Sequence, residues 1–264
     1  SDLIIWTSRE WVAITLPYGG FPWSRLAQTQ SESILAKWVY LGGLGWLTFL
    51  VAALSALLVI TAISFFKQGF RIKHLALPAV SYALIFAIPA LMFIPSNAEA
   101  GTLTVGSVQG NANAGLFSNE VRGTILNNHL SASKLLQSLP LRSSMDVVVW
   151  PENASDISPL SDIGAAAKIT DFVDNEIKVP LILGAISSRG EELYNSSVLW
   201  EPGVGPTDWY DKKRPVPFAE YLPEREFFYP LAPDLFDMVP RDYTLGTRDP
   251  IFEFGDVKAG IAIC

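Results

Sequence analysis

Two runs free of any charged side chain, 39–66 and 75–98, dominate the hydrophobic pattern of this chain. Each supplies the ~20 apolar residues that a bilayer core of about 30 Å requires. Soluble helices of such length normally keep a polar face, which neither run has. Both exceed the apolar core of a cleaved signal peptide, and the first starts well inside the chain. The pattern therefore predicts two transmembrane helices within 38–98. Their connector, Lys67-Gln68-Gly69-Phe70-Arg71-Ile72-Lys73-His74, carries three fixed positive charges and no acid. Such a basic loop, 67–74, belongs on the cytoplasmic side. The first helix then runs inward and the second outward, leaving 1–37 and everything after 98 on the non-cytoplasmic side.

Before the first run, 1–37 reads as a mixed segment holding Pro17-Tyr18-Gly19-Gly20-Phe21-Pro22-Trp23. Alternating Pro, Gly and aromatic residues oppose a regular helix. They suit a loop at the membrane–water boundary, where Trp and Tyr settle, and equally a turn-rich connector. From 99 onward the pattern alternates between strand and helix periods. Strands are predicted at 103–108, 146–150, 181–185, 196–200, 251–254 and 258–263, with helices over 117–138 and 160–178. That alternation argues for a layered α/β domain across 99–264. A strand such as 258–263 normally leads into a helix, so the 264 residues read as a fragment of a longer protein, and the absence of an initiator Met agrees.

Composition narrows the chemistry. The net charge of −7 gives no footing for nucleic acid. One cysteine excludes an internal disulfide and any multi-cysteine metal site. His74 and His129 are far apart and outside any ligand-spaced cluster, which fits surface or interfacial residues better than a Ser-His-Asp site. No metal or cofactor is expected.

Three reactive side chains follow buried strands or lie in a loop beside one: Glu152, Lys212 and Cys264. Taken singly they also read as a solvated carboxylate, a snorkelling lysine and a small core thiol. Together they supply a base, a cation and a nucleophile. A thiol of pKa about 8.5 is mostly protonated at neutral pH and needs such neighbours to attack an acyl carbon. Lys213 competes with Lys212, but adjacent side chains on an extended segment point oppositely, so one of them faces the site.

Trp150-Pro151-Glu152-Asn153, the segment Tyr210-Asp211-Lys212 with Val216-Pro217-Phe218-Ala219-Glu220-Tyr221, and Gly260-Ile261-Ala262-Ile263-Cys264 resemble the nitrilase superfamily. The two apolar runs and the Gly-Gly-Phe-Pro-Trp loop narrow the resemblance to its bacterial apolipoprotein N-acyltransferases, over essentially the whole chain. Arg214-Pro215 stands where that family usually has His-Leu, and Ala219 where Gly is usual.

The resemblance implies a nitrilase-type αββα sandwich, with its carboxyl-terminal part missing, preceded by transmembrane helices. It implies Glu152 as general base, Lys212 as oxyanion stabiliser, Cys264 as nucleophile and Glu220 as a second glutamate at the site. Trp150, Phe21 and Trp23 are the implied substrate contacts. The expected reaction moves an acyl chain from a phospholipid donor, through a thioester, to the amine of a diacylglyceryl apolipoprotein acceptor at the bacterial plasma membrane. A membrane-tethered amidase passing its acyl group to water is the alternative, and a catalytically dead partner-binding domain a third reading.

Overall fold

The computed structural model describes residues 2–23, 25–68, 72–95, 101–111, 121–140, 142–239 and 241–263. The chain divides into two compact units, Ser1–Glu99 and Ala100–Cys264.

The first unit is helical. Helix α1, Asp2–Thr15, occupies much of the segment predicted as loop. The turn-forming residues that signalled a loop begin only at Pro17, and the stretch before them holds neither Pro nor Gly. After short 3-10 turns at Leu26–Gln30 and Ile34–Trp38 comes α2, Val39–Gln68, interrupted at Gly43, where φ is 70°. The stretch Ile34–Lys67 is 34 residues long and holds an 18-residue window with a mean hydropathy of 2.5. Among the described residues it is the one helix long and apolar enough to cross a membrane.

The second apolar run forms α3, Ile72–Leu91, whose apolar part, Ala76–Leu91, is shorter than a membrane span. Pro89 falls in its last turn and Pro95 soon follows, so the helix stops short of the predicted 98. In the basic connector, 69–71 lie outside the described residues. Ala27, Leu35, Trp38, Leu47 and Leu50 form a small core. The Trp38 indole N–H donates to the Ile85 carbonyl at 2.9 Å and the Tyr82 hydroxyl to that of Leu54 at 2.9 Å, tying α3 to its neighbours.

The second unit is α/β. In chain order it contains β1 Val105–Ser107, α4 Thr124–Ser133, β2 Val147–Val149, α5 Ile163–Asp171, β3 Leu181–Arg189, β4 Glu192–Glu201 and β5 Gly205–Asp211. Two single turns follow, α6 Arg225–Phe228 and α7 Pro233–Phe236, then the strands β6 Ile251–Phe254 and β7 Val257–Gly260. One sheet runs β1-β2-β3-β4-β5, parallel from β1 to β3 and antiparallel from β3 to β5, while β6 and β7 pair separately as a hairpin.

Period-two alternation explains why these strands read as unbroken apolar runs. Val148, Leu181, Leu183, Val198 and Trp200 face one core with Leu126 of α4 and Ile169 of α5. Val147, Ile182, Leu199 and Tyr210 face the other, against Phe252 and Phe254 of the hairpin. Both faces of the sheet are therefore covered, giving three layers in the order α, β, β.

One predicted helix starts late and one strand was not predicted. Helix α4 starts at Thr124 rather than 117, because Gly123 sits at φ 92° and the Asp156 carboxylate accepts from the Gly123 and Leu126 amides at 2.6 and 3.2 Å. Residues 117–120 lie outside the described residues. Strand β5 was missed, since Pro206, Thr207 and Asp208 break the apolar pattern of what is a sheet-edge strand.

Candidate active site

Glu152 is placed by β2 and by a glycine on β3. The Trp150 amide still donates to the Ile182 carbonyl at 2.8 Å, and then Pro151 ends the strand. The chain turns through Asn153 in the left-handed region at φ 54° and returns to bridge Ser155 to Ala185. This turn lies directly on Gly184, where a Cβ would stand 2.6 Å from Glu152 Cα and 2.8 Å from the Asn153 nitrogen. Only a residue without a side chain permits that approach.

Lys212 is the first residue beyond β5. Its amide donates to the Asn195 carbonyl of β4 at 2.8 Å, and its carbonyl accepts from the Gly246 amide at 2.9 Å. Glu220 comes from a tight turn in which the Glu220 amide donates to the Val216 carbonyl at 2.8 Å. The Glu220 carboxylate accepts from the Val216 amide at 2.6 Å.

These elements bring three predicted residues together. Lys212, 3% exposed, has its ammonium 3.0 Å from Glu152 Oε1 and 2.9 Å from Glu220 Oε2. Burial pulls the Lys212 pKa down. The hydrogen bonds and charges of Glu220 and Glu152 outweigh it, so the pKa stands above the usual lysine value. Lys213 points outward toward Asp249 at 3.5 Å, with a side chain 39% exposed. The outward course of Lys213 resolves which of the two lysines faces the carboxylates.

Sequence reasoning missed two members of this cluster. Asn195, 1% exposed, donates through Nδ2 to Glu152 Oε1 at 2.6 Å and to Glu220 Oε1 at 2.7 Å. Tyr243 lies where burial, then the charges of Glu220 and Glu152, push its phenol up to about 12. The polar residues Asn195-Ser196-Ser197 inside an otherwise apolar strand were the available signal, because buried polar groups must be partnered.

Beside Glu152 opens a cavity of about 350 Å³ with mostly apolar walls, among them Val149, Ile182, Phe254, Ile261 and Ile263. Strand β7 ends at Gly260 rather than the predicted 263, and residues 259–263 line the same cavity as Glu152, so the chain leading to Cys264 runs along its wall. Cys264 itself lies outside the described residues. The arrangement offers an anionic acceptor, a fixed cation and an apolar recess.

Residues 3–57 match the model of the apolipoprotein N-acyltransferase N-terminal domain. The apolipoprotein N-acyltransferase of Mycolicibacterium smegmatis is 32% identical over 222 residues, 75% of this chain and 36% of that protein. That of Pseudomonas aeruginosa strain PAO1 is 29% identical over 263 residues, 93% of this chain and 47% of the relative. The Vibrio cholerae protein of the same name is 27% identical over 81% of this chain and 41% of its own length. Over most of its length the chain is similar to the apolipoprotein N-acyltransferases. It spans less than half the length of these relatives. Among solved structures, an amidase from Nesterenkonia sp. AN1 aligns with 63% of this chain and 56% of its own at 11% identity, with a TM-score of 0.40. That likeness is too loose to add weight.

The remaining predicted contacts fall elsewhere. Trp150 borders the cavity, but it is a core residue, 2% exposed. Its indole N–H donates to Ser133 Oγ at 3.0 Å and its ring lies 5.4 Å from Phe172. Phe21 and Trp23 belong to the first unit, exposed, with ring centroids 5.3 Å apart. His129, expected at the surface or an interface, is buried beside Trp150, its Nδ1–H donating to the Ile125 carbonyl at 2.9 Å.

Proposed function

We propose that the protein is a membrane-embedded acyltransferase that moves an acyl chain from a phospholipid to the amino group of a diacylglyceryl-modified cysteine. The observation that carries this reading is the meeting of Glu152, Glu220 and the buried Lys212 beside the cavity wall that leads to Cys264. Glu152 accepts the thiol proton and the Cys264 thiolate attacks the ester carbonyl. The oxyanion that forms is held by the Lys212 ammonium. Collapse expels the lysophospholipid alkoxide, which takes the proton back from Glu152, and leaves a thioester. The acceptor amine then attacks the thioester, its proton passes through Glu152 to the departing thiolate, and an amide results.

The curated relatives named apolipoprotein N-acyltransferase support the acceptor and the donor. The span Ile34–Lys67 supports a membrane location. Two transmembrane helices joined by a cytoplasmic basic loop would put 99–264 on the non-cytoplasmic side of the bacterial plasma membrane, where both lipids are met. The exposed Phe21 and Trp23 suit contact with entering acyl chains.

The test is to incubate full-length protein with a phospholipid and a diacylglyceryl lipopeptide. Amide formation and an acyl-thioester trapped on Cys264, both lost in Cys264→Ser, are expected. Release of free fatty acid without amide would make the protein an amidase-like hydrolase instead.

A further inference from the structure

The two carboxylates around Lys212 are not equivalent: Asn195 donates to both, but Lys212 and the Val216 amide occupy the second oxygen of Glu220 alone. Glu220 Oε1 accepts from Asn195 Nδ2, while Oε2 accepts from Lys212 and from the Val216 amide. Both of its oxygens are occupied. Glu152 receives Lys212 and Asn195 on the same atom, Oε1. Among the described residues its Oε2 receives no donor, and Glu152 borders the cavity. Two carboxylates share one ammonium here, so Lys212 alone leaves the cluster with a net charge of −1. The Asn195 amide, with two N–H groups and no charge, is the second donor that both acids use.

We propose that Asn195 is a positioning residue that locks Oε1 of Glu152 and so assigns proton transfer to Oε2. In the acyl-transfer reading on which this rests, the thiol S–H bond breaks and an O–H bond forms on Oε2. The thiolate left behind attacks the acyl carbon. Glu220, held at both oxygens, keeps Lys212 charged and in place and takes no proton. Asn195 is fixed for this task by its strand: it pairs with Ile186 of β3, and its carbonyl accepts the Lys212 amide, so the side chain and the lysine rise from adjacent positions. The charged and titratable groups around Glu152 are Lys212, Glu220 and the phenol of Tyr243. Lys212 already donates to Oε1, so withdrawing Asn195 leaves that oxygen one donor short. A carboxylate that loses an N–H donor is less stable as an anion.

The experiment compares Asn195→Leu, which has the same size and no donor, with Asn195→Asp, which puts a third acid in the cluster. In full-length protein, two rates are followed against pH: acyl transfer to a lipopeptide, and alkylation of Cys264 by iodoacetamide, mapped by mass spectrometry. Asn195→Leu is expected to lower kcat by roughly 100-fold with KM nearly unchanged. The acid limb of alkylation should move up by about one pH unit, and further in Asn195→Asp. A fall in activity with the limb unmoved, or a change confined to KM, overturns the proposal. Should Asn195→Leu fail to fold, Asn195→Ser, which leaves one hydroxyl donor, carries the same measurement. If the limb moves but the parent protein transfers no acyl chain, the positioning role stands and the acyltransferase reading fails.

Discussion

Gly184 and Glu152 are in backbone contact: a Cβ on Gly184 would stand 2.6 Å from Glu152 Cα and closer still to the Pro151 carbonyl oxygen. The strand that carries Gly184 is buried along most of its length, so β3 has little room to retreat. Gly184→Ala must therefore displace the 151–153 turn. The expected result is a folded protein with acyl transfer reduced by roughly 100-fold, since a shift of about 1 Å at a reacting group costs that much. Gly246→Ala, whose Cβ would meet the Asp211 carbonyl beside Lys212, should do the same from the other side of the cluster. Near-normal kcat in both variants would show that the carboxylate–lysine geometry has no bearing on turnover.

Lys212 bridges two acids from a site where water does not reach it, its side chain being 4% exposed. Lys212→Met leaves Glu152 and Glu220 facing one another with only Asn195 between them. Breaking a buried pair in this way costs about 3 kcal/mol, the low end of the usual range because Glu152 is 30% exposed. Lys212→Arg should restore the charge without restoring activity, because a planar fork does not reproduce two contacts made by a compact ammonium. Thermal unfolding and acyl transfer measured on both variants check this: lost stability should be partly recovered in Lys212→Arg, lost turnover should not.

Alkaline pH should loosen the second unit. Tyr243 ionises near 12 in the fold against 10.0 in a free chain. As pH rises from 10 to 12 the unfolded tyrosine gives up its proton first, the folded state holds more protons, and stability falls by up to about 2 kcal/mol. Lys212 acts in the same direction. Its folded pKa lies above 10.5, so its contribution is complete below that value and disappears as pH climbs through the folded one. Tyr243→Phe should flatten the tyrosine share of this decline while leaving the lysine share. Denaturant midpoints of parent and variant across that window give the measurement, and parallel slopes would contradict the placement of Tyr243 beside the acids.

The sheet was legible because β2, β3 and β4 bury both faces, so their apolar runs stand out against any background. Glu152 was legible for the same reason, sitting where the Val147-Val148-Val149 run meets Pro151. Strand β5 was not, because an edge strand tolerates Pro206 and Asp208, although it is the strand that delivers Lys212. Asn195 stayed hidden for a different reason. Its value depends on two acids 43 and 25 residues away in sequence, and no local pattern encodes that meeting. The start of α4 failed likewise, its cap being the carboxylate of Asp156, 33 residues from Gly123.

In the first unit a buried acid fixes the loop that precedes α2. Glu10, 3% exposed, accepts from the Leu26 amide at 2.6 Å and from Thr48 Oγ1 at 2.7 Å, with Arg25 Nε 3.6 Å away. One carboxylate thus joins α1, the chain just after Trp23, and α2. Ionisable groups inside an apolar helical unit are costly unless paired, and this one accepts a hydrogen bond at each oxygen. Glu10→Ala orphans the Leu26 amide and removes the partner of Arg25, a loss of about 1–3 kcal/mol. Because the lost contacts bracket 16–25, the effect should concentrate there. Trypsin cleavage after Arg25 should accelerate, and quenching of Trp23 fluorescence by brominated lipid should change, while Asn195, Lys212 and their acids are untouched. Glu10→Gln, which keeps an acceptor and gives up the charge, should fall between parent and Glu10→Ala. Equal cleavage rates in all three proteins would remove Glu10 from any role in holding the aromatic loop.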